Sequence, residues 1–264
     1  MYRFLLRPRW LVFHAIVAIG VVGMVMLGFW QRSRLEDRRE FNAVVTARAA
    51  EPIVAVEEVV GPPGNEADPA SIDWRGVIAA GRYLPDEQVI IVNRSQAGRA
   101  GVNVVTPLEL ADGRLLIVNR GFVPGAGDLV TAPPEGVVEI AGRLRQSQPR
   151  RFGGLSDPEG ELTEMQRIDI DRMAEQLPAA PVPVYLDLVD PDQQLPVPVP
   201  PPSVDEGSHL SYMFQWWFFA GCAALGWVVA VRRSIRSRQV SAASEPTAAG
   251  SPPQDDPAST MAAP

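Results

Sequence analysis

The chain has 264 residues, a net charge of −7, 24 arginines with no lysine, and a single cysteine. That length holds one domain or two small ones. Charge is sorted by region: residues 41–208 carry 13 Arg against 25 Asp and Glu, residues 1–40 carry 7 against 3, and residues 209–264 carry 4 against 3. An acidic middle between basic flanks excludes nucleic acid, whose binding rests on neutralising phosphates. The lone Cys222 excludes an intrachain disulfide and a C-x-x-C redox or copper site, and reads as a small packing residue.

Trp10–Trp30 is a stretch of 21 residues without Asp, Glu, Lys or Arg. At about 1.5 Å per residue it spans roughly 30 Å, the hydrocarbon thickness of a bilayer. It is longer than a signal-peptide core and runs into bulky, charged "QRSRLEDRREF", which predicts an uncleaved anchor. The stretch "RSRLEDRREFNAVVTARAA" is expected to continue as an amphipathic helix, and "GPPGNEADPAS" (61–71) reads as a turn-rich loop.

Strands are expected at 75–83, 88–94, 101–110, 114–123 and 136–145, each a β-branched run bounded by Gly, Pro or Asp. "ADG" at 111–113 reads as a hairpin turn, and Pro107 belongs at an edge or bulge. "IVNR" occurs at 91–94 and 117–120, which suggests similar positions in neighbouring strands. Residues 167–178 predict a strand end and a short helix capped by Asp169 or Asp171, and 182–189 a last strand. The expected domain is a mainly antiparallel sheet or barrel of five to seven strands with one or two helices.

"LPVPVPPPSVDEG" (195–207) should be an extended polyproline spacer leading back to the membrane. Tyr212–Val231 is a second uncharged stretch, of 20 residues, and beyond Arg238 the tail should be disordered. The layout is an N-terminus at 1–9, a first span at 10–30, a β-rich domain at 31–205 whose 178–205 portion returns to the membrane, a second span at 206–231, and a tail at 232–264. The fold class is a membrane protein in which two transmembrane helices flank an extracytoplasmic α+β domain. Arg232, Arg233, Arg236 and Arg238 after the second span place both termini in the cytoplasm; Arg32, Arg34, Arg38 and Arg39 argue against it, but the second span decides. Codon bias behind the missing lysines points to a bacterial plasma membrane.

The inventory for catalysis is poor. His14 and His209 are the only histidines, both in or beside the spans, so the β-domain has no base for a Ser-His-Asp or Cys-His arrangement. G-x-S-x-G, phosphate loops and H-E-x-x-H are absent. This speaks against an envelope hydrolase and for a non-enzymatic role. His14 lies about 24 Å along the helix from Trp30, so the two histidines of one chain cannot share a metal; His14 should snorkel or bond a neighbouring helix. His209 opens the second span, with Tyr212 and Trp216 on one helical face and Gln215 beside its lower edge. An interface belt of aromatics explains Tyr212, Trp216 and Trp217. It does not explain Gln215, so a ligand or partner site stands beside the belt reading.

"LGFWQRSRL", "AAGRYLPD", "GVNVVTPLEL" with "IVNRGFVP", and "GSHLSYMFQWWFFA" occur in that order over about residues 20–231. In this arrangement the chain resembles the surfeit-locus family of membrane proteins, assembly factors for haem-copper cytochrome c oxidase. The resemblance implies help in maturing oxidase subunit I, with haem a as a transient cofactor. The implied partners are subunit I, other respiratory-complex subunits and membrane lipid. In the family pattern H-x-x-Y-x-x-Q-W the histidine is the haem contact; here this implies His209, followed by Tyr212, Gln215 and Trp216, with His209 as the haem iron ligand. Trp30, Gln31 and Arg34 match the motif ending the first helix, Gly81 and Tyr83 the glycine-aromatic strand, and Asn119, Arg120 and Gly121 the N-R-G. Apart from Arg34 these imply packing and docking, and Phe122 stands where Trp is common. Arg34 is the expected cation for a haem propionate. An accessory or tethering subunit that docks without haem is the alternative.

Overall fold

The computed structural model describes residues 3–125, 130–157, 160–189 and 195–243. The chain falls into two units, one of residues 1–37 with 206–264 and one of residues 38–205. Helix α1 (Pro8–Ala50) starts with proline at its first position, where a missing N–H costs nothing. It continues past the apolar run through charged residues supported by local pairs such as Arg32–Glu36 at 2.9 Å.

The second unit is built from β1 (Val54–Ala55), α2 (Val56–Val60), α3 (Pro69–Ile72), β2 (Gly76–Tyr83), β3 (Val89–Gln96), β4 (Arg99–Leu110), β5 (Leu115–Pro124), β6 (Val137–Gln146), β7 (Glu164–Met165), α4 (Ile170–Ala174) and β8 (Pro181–Leu188). The eight strands run in the order β1-β2-β6-β8-β5-β4-β3-β7, and β2 also pairs with β4. That extra pairing closes β2-β6-β8-β5-β4 into a five-stranded barrel, with β3 and β7 extending from β4.

Closure depends on Gly81. It pairs with Leu110 of β4 on one side and Val138 of β6 on the other. A Cβ there would collide with the Glu109 carbonyl and stand 3.0 Å from the Leu108 side chain. Pro107 opposes Ile117 of β5. On its other edge it falls between the end of β3 pairing at Val105 and the start of β2 pairing at Leu108, so its missing N–H leaves no gap in a ladder.

β5 is buried along nearly its whole length because it carries core on both faces. Leu116 and Val118 join Val77, Leu108, Leu144, Val184 and Leu186 in one cluster. Ile117 faces a second cluster with Val89, Ile91, Met165, Met173 and Tyr185. The "ADG" turn forms as expected: Gly113 donates to the Leu110 carbonyl, and Asp112 accepts from Arg114 N at 3.0 Å.

Several expectations are corrected. Among the described residues there are eight strands against the five to seven expected; the sheet is mainly antiparallel as expected, but β1–β2, β3–β7 and β5–β8 are parallel. The 61–71 loop ends in α3, capped by Asp68. The 167–178 helix shrinks to α4, capped by Asp169 and not Asp171. The two "IVNR" stretches flank β4 from opposite edges, and their positions differ: Asn93 is exposed at φ 59°, whereas Asn119 is buried. The 178–205 segment contains β8, and the proline-rich part is no free spacer. Phe122 and Val197 exchange backbone hydrogen bonds of 2.7 and 2.8 Å, and Arg143 and Gln96 hold the Val199 and Pro198 carbonyls.

Helix α5 (His209–Ala243) belongs to the first unit. It begins near Ser208 as the motif suggests and runs through Arg238, where disorder was expected, to Ala243; the tail beyond lies outside the described residues. Cys222 is exposed on α5, not packed within the chain. Both α1 and α5 are long and apolar enough to cross a membrane.

Candidate functional site

The site begins where the apolar run of α1 gives way to Gln31 and where α5 starts. There His209 Nδ1 and Gln31 Oε1 lie 2.9 Å apart. A carbonyl oxygen only accepts, so Nδ1 is the donor, and in the neutral ring this leaves the lone pair on Nε2. This is the arrangement by which a second group fixes an imidazole's tautomer and ring direction for a metal. The two motifs, 178 residues apart, are therefore joined by one hydrogen bond.

Below this bond, Trp217 seats on Gly28: a Cβ at Gly28 would collide with the indole. Phe29 meets Trp217 edge-on at 5.6 Å. Met213 and Ala220 are the buried residues of this part of α5. The face that meets α1 thus runs through His209, Met213, Trp217 and Ala220, at steps of three and four residues.

Tyr212 and Gln215 do not belong to that face. At about 100° per residue they lie roughly 60° and 120° away from His209. Both are exposed, and neither side chain makes a hydrogen bond among the described residues. Trp216 is half-buried and packs edge-on with Phe219 at 6.3 Å. Trp30 is exposed and lies under the Arg34 guanidinium at 5.7 Å, while Arg34 also reaches Asp37 at 3.4 Å. Both partners of that pair are more than half exposed, so Arg34 is weakly committed. At the other end of the helix pair, Trp227 donates its indole N–H to His14 Nδ1 at 2.8 Å. His14 thus bonds the neighbouring helix, one of the two roles expected for it.

The remaining motif residues lie in the barrel wall. Gly81 closes the barrel, and Tyr83 pairs with Leu108 beside it. Asn119 donates to Asp187 Oδ1 at 2.7 Å. Arg120 is 1% exposed, sits 5.8 Å from the Tyr83 ring and donates to the carbonyls of Thr131 and Ala132 at 3.0 and 3.2 Å. Burial pushes its pKa down. Gly121 has φ 129°, and a Cβ there would collide with the Val197 carbonyl. The N-R-G stretch is therefore a clasp that holds the 131–132 loop and the proline-rich segment against β5.

Motif reading missed what surrounds Asp187. Its pKa is raised by burial, opposed by the Asn119 hydrogen bond and by Arg145 and Arg143. Burial likewise pushes the neighbouring Tyr185 hydroxyl up. Arg145 bridges Asp187 at 3.5 Å and Asp73 at 3.1 Å, with its guanidinium 3.4 Å from the centre of the Trp74 ring. The alternation of Tyr185 and Asp187 within an apolar strand was the available signal.

Two helices long and apolar enough to cross a membrane, a β-rich domain between them in sequence, and an imidazole held by an amide where the helices meet define the class: a barrel unit inserted between two candidate membrane helices. The family follows from comparison. A model of the SURF1 family matches residues 18–221, and the chain belongs to that family. It is 30% identical over 260 residues to SURF1-like proteins of Mycobacterium bovis and Mycobacterium tuberculosis, covering 96% of this chain and 93% of each relative. A SURF1-like protein of Monosiga brevicollis is 28% identical over 250 residues, covering 84% of this chain and 88% of the relative. SURF1 proteins are known broadly as oxidase assembly factors.

Proposed function

We propose that this protein assists maturation of haem-copper cytochrome c oxidase by presenting His209 as a transient axial ligand for haem a bound for subunit I. Family membership supports the oxidase as client. The observation that carries the haem reading is the His209–Gln31 hydrogen bond, which leaves Nε2 free for iron. The residues fit the group as a temporary holder: one imidazole, exposed aromatic rings at Trp30 and Tyr212, and the weakly committed Arg34 for a propionate. When bound, haem would supply the iron that the imidazole holds; the protein contributes position and release, not bond-making chemistry. A single axial ligand suits a carrier that hands its cargo on.

In this reading the barrel lies outside the plasma membrane of a bacterium and both termini are cytoplasmic, supported by the arginines that follow the second span. The exposed Tyr212, Phe214 and Phe218 favour a second role, docking on subunit I or another respiratory-complex subunit without haem. The test is a strain lacking this chain, complemented with wild type or His209→Ala. The expected variant still co-purifies with subunit I but leaves the oxidase deficient in haem a. Full haem a content with the variant would overturn the haem reading and leave docking alone.

A further inference from the structure

Within the barrel unit, a cavity of about 750 Å³ is lined by Arg94, Arg145, Arg151, Arg167, Asp73 and Gln166, among others. Four guanidinium groups against one lining carboxylate is unusual in a region where acids outnumber arginines 25 to 13. Two of the four are already paired. Arg145 is held between Asp73 and Asp187, and Arg167 Nη1 lies 3.7 Å from Asp157.

Arg94 and Arg151 have no carboxylate partner among the described residues. Arg94 is half-buried and donates only to the Gln166 carbonyl at 3.0 Å. Its Nε is fully buried without an acceptor. Burial lowers its pKa and so does the neighbouring Arg167. Arginine does not escape this cost by losing its proton, and with one carbonyl as its acceptor the Arg94 guanidinium has donors left over for an anion in the cavity. Arg151 is exposed on the opposing loop and makes no side-chain hydrogen bond or ion pair among the described residues.

We propose that this cavity binds a small molecule bearing an oxyanion group, phosphate or carboxylate, through Arg94 and Arg151. The volume falls within the range of small-molecule sites and exceeds what a bare ion requires. Guanidinium groups take both oxyanions in a forked, charge-assisted geometry. Arg145 and Arg167 line the walls with their charge already balanced. The inference is independent of haem handling, because every residue it uses belongs to the barrel unit.

The test is calorimetric titration of the full chain in detergent with inorganic phosphate and, separately, succinate, at constant ionic strength in chloride. Phosphate and carboxylate arms read out which oxyanion the site takes. Saturable binding of at least one anion is expected. Arg94→Gln and Arg151→Gln should each weaken it about tenfold, the size of one lost charge-assisted contact. Arg82→Gln, an exposed arginine outside the cavity, should leave it unchanged. Arg151→Gln disturbs no interaction within the described residues and so tests the site without a folding penalty. No saturable binding of either anion, or binding that survives both cavity substitutions, overturns the assignment.

Discussion

The barrel unit and the helix pair solve opposite problems. The barrel covers its own apolar surface: five strands close on one another, β5 and β8 are buried on both faces, and the buried Asn119, Arg120 and Asp187 each find a partner within the same unit. The helix pair leaves most of its apolar surface open. Only Met213, Ala220 and a few other residues are covered, while Phe29, Trp30, Phe214 and Phe218 are more than half exposed. In lipid such surface costs nothing, and helices associate through small residues and hydrogen bonds. Gly28 beneath Trp217 and the Gln31–His209 and His14–Trp227 bonds are those devices. The lesson is a division of labour: the barrel is held by its own buried contacts, and the helix pair by a few polar contacts, one at each end, of which the His209–Gln31 bond also offers ligand chemistry.

The largest way to break this contrast is Gly81→Val. The added side chain meets the Glu109 carbonyl at the seam where β2 and β4 join. Loss of about 3 kcal/mol is expected, read as a lowered midpoint of denaturant unfolding of the full chain in detergent. Helical circular dichroism from the spans should persist through that transition; coincident loss of helix and strand signal would mean the two regions are one cooperative unit.

A smaller effect sharpens the contrast through pH. Burial holds the Asp187 pKa above its ordinary 3.8, so the folded barrel keeps a proton that the unfolded chain has released. Stability from this group is therefore complete below that ordinary value and is lost as pH rises through the raised one. Wild type measured against Asp187→Asn should lose relative stability as pH rises from below 3.8. A relative stability that climbs with pH would contradict the burial argument.

Much of the barrel was legible because its strands are β-branched runs between Gly, Pro and Asp. What connects them was not. The parallel β5–β8 pairing joins segments separated by β6, β7 and α4, and no local pattern encodes it. β7 has only two residues, too few for any period to show. Closure rests on Gly81, whose meaning is visible only once Glu109 stands opposite. At the site, His209 was legible as a lone polar group opening an apolar helix. Its partner Gln31 was legible as a motif residue but not as a partner, since the hydrogen bond spans 178 residues. Gln215, six residues and about 120° from His209, lies off the face that meets α1, so the contact between the helices does not use it. The arginine cavity drew no attention because its members are scattered over β3, β6 and the loops and share no spacing.

The central claim is that Gln31 aims the His209 imidazole at a haem iron. The direct measurement is the absorption spectrum of purified protein co-expressed with haem a synthesis, wild type beside His209→Ala and Gln31→Ala. A haem a band lost in His209→Ala and retained about 10–100-fold more weakly in Gln31→Ala is the predicted result. A band of equal strength in all three proteins, or no band in wild type, would contradict it.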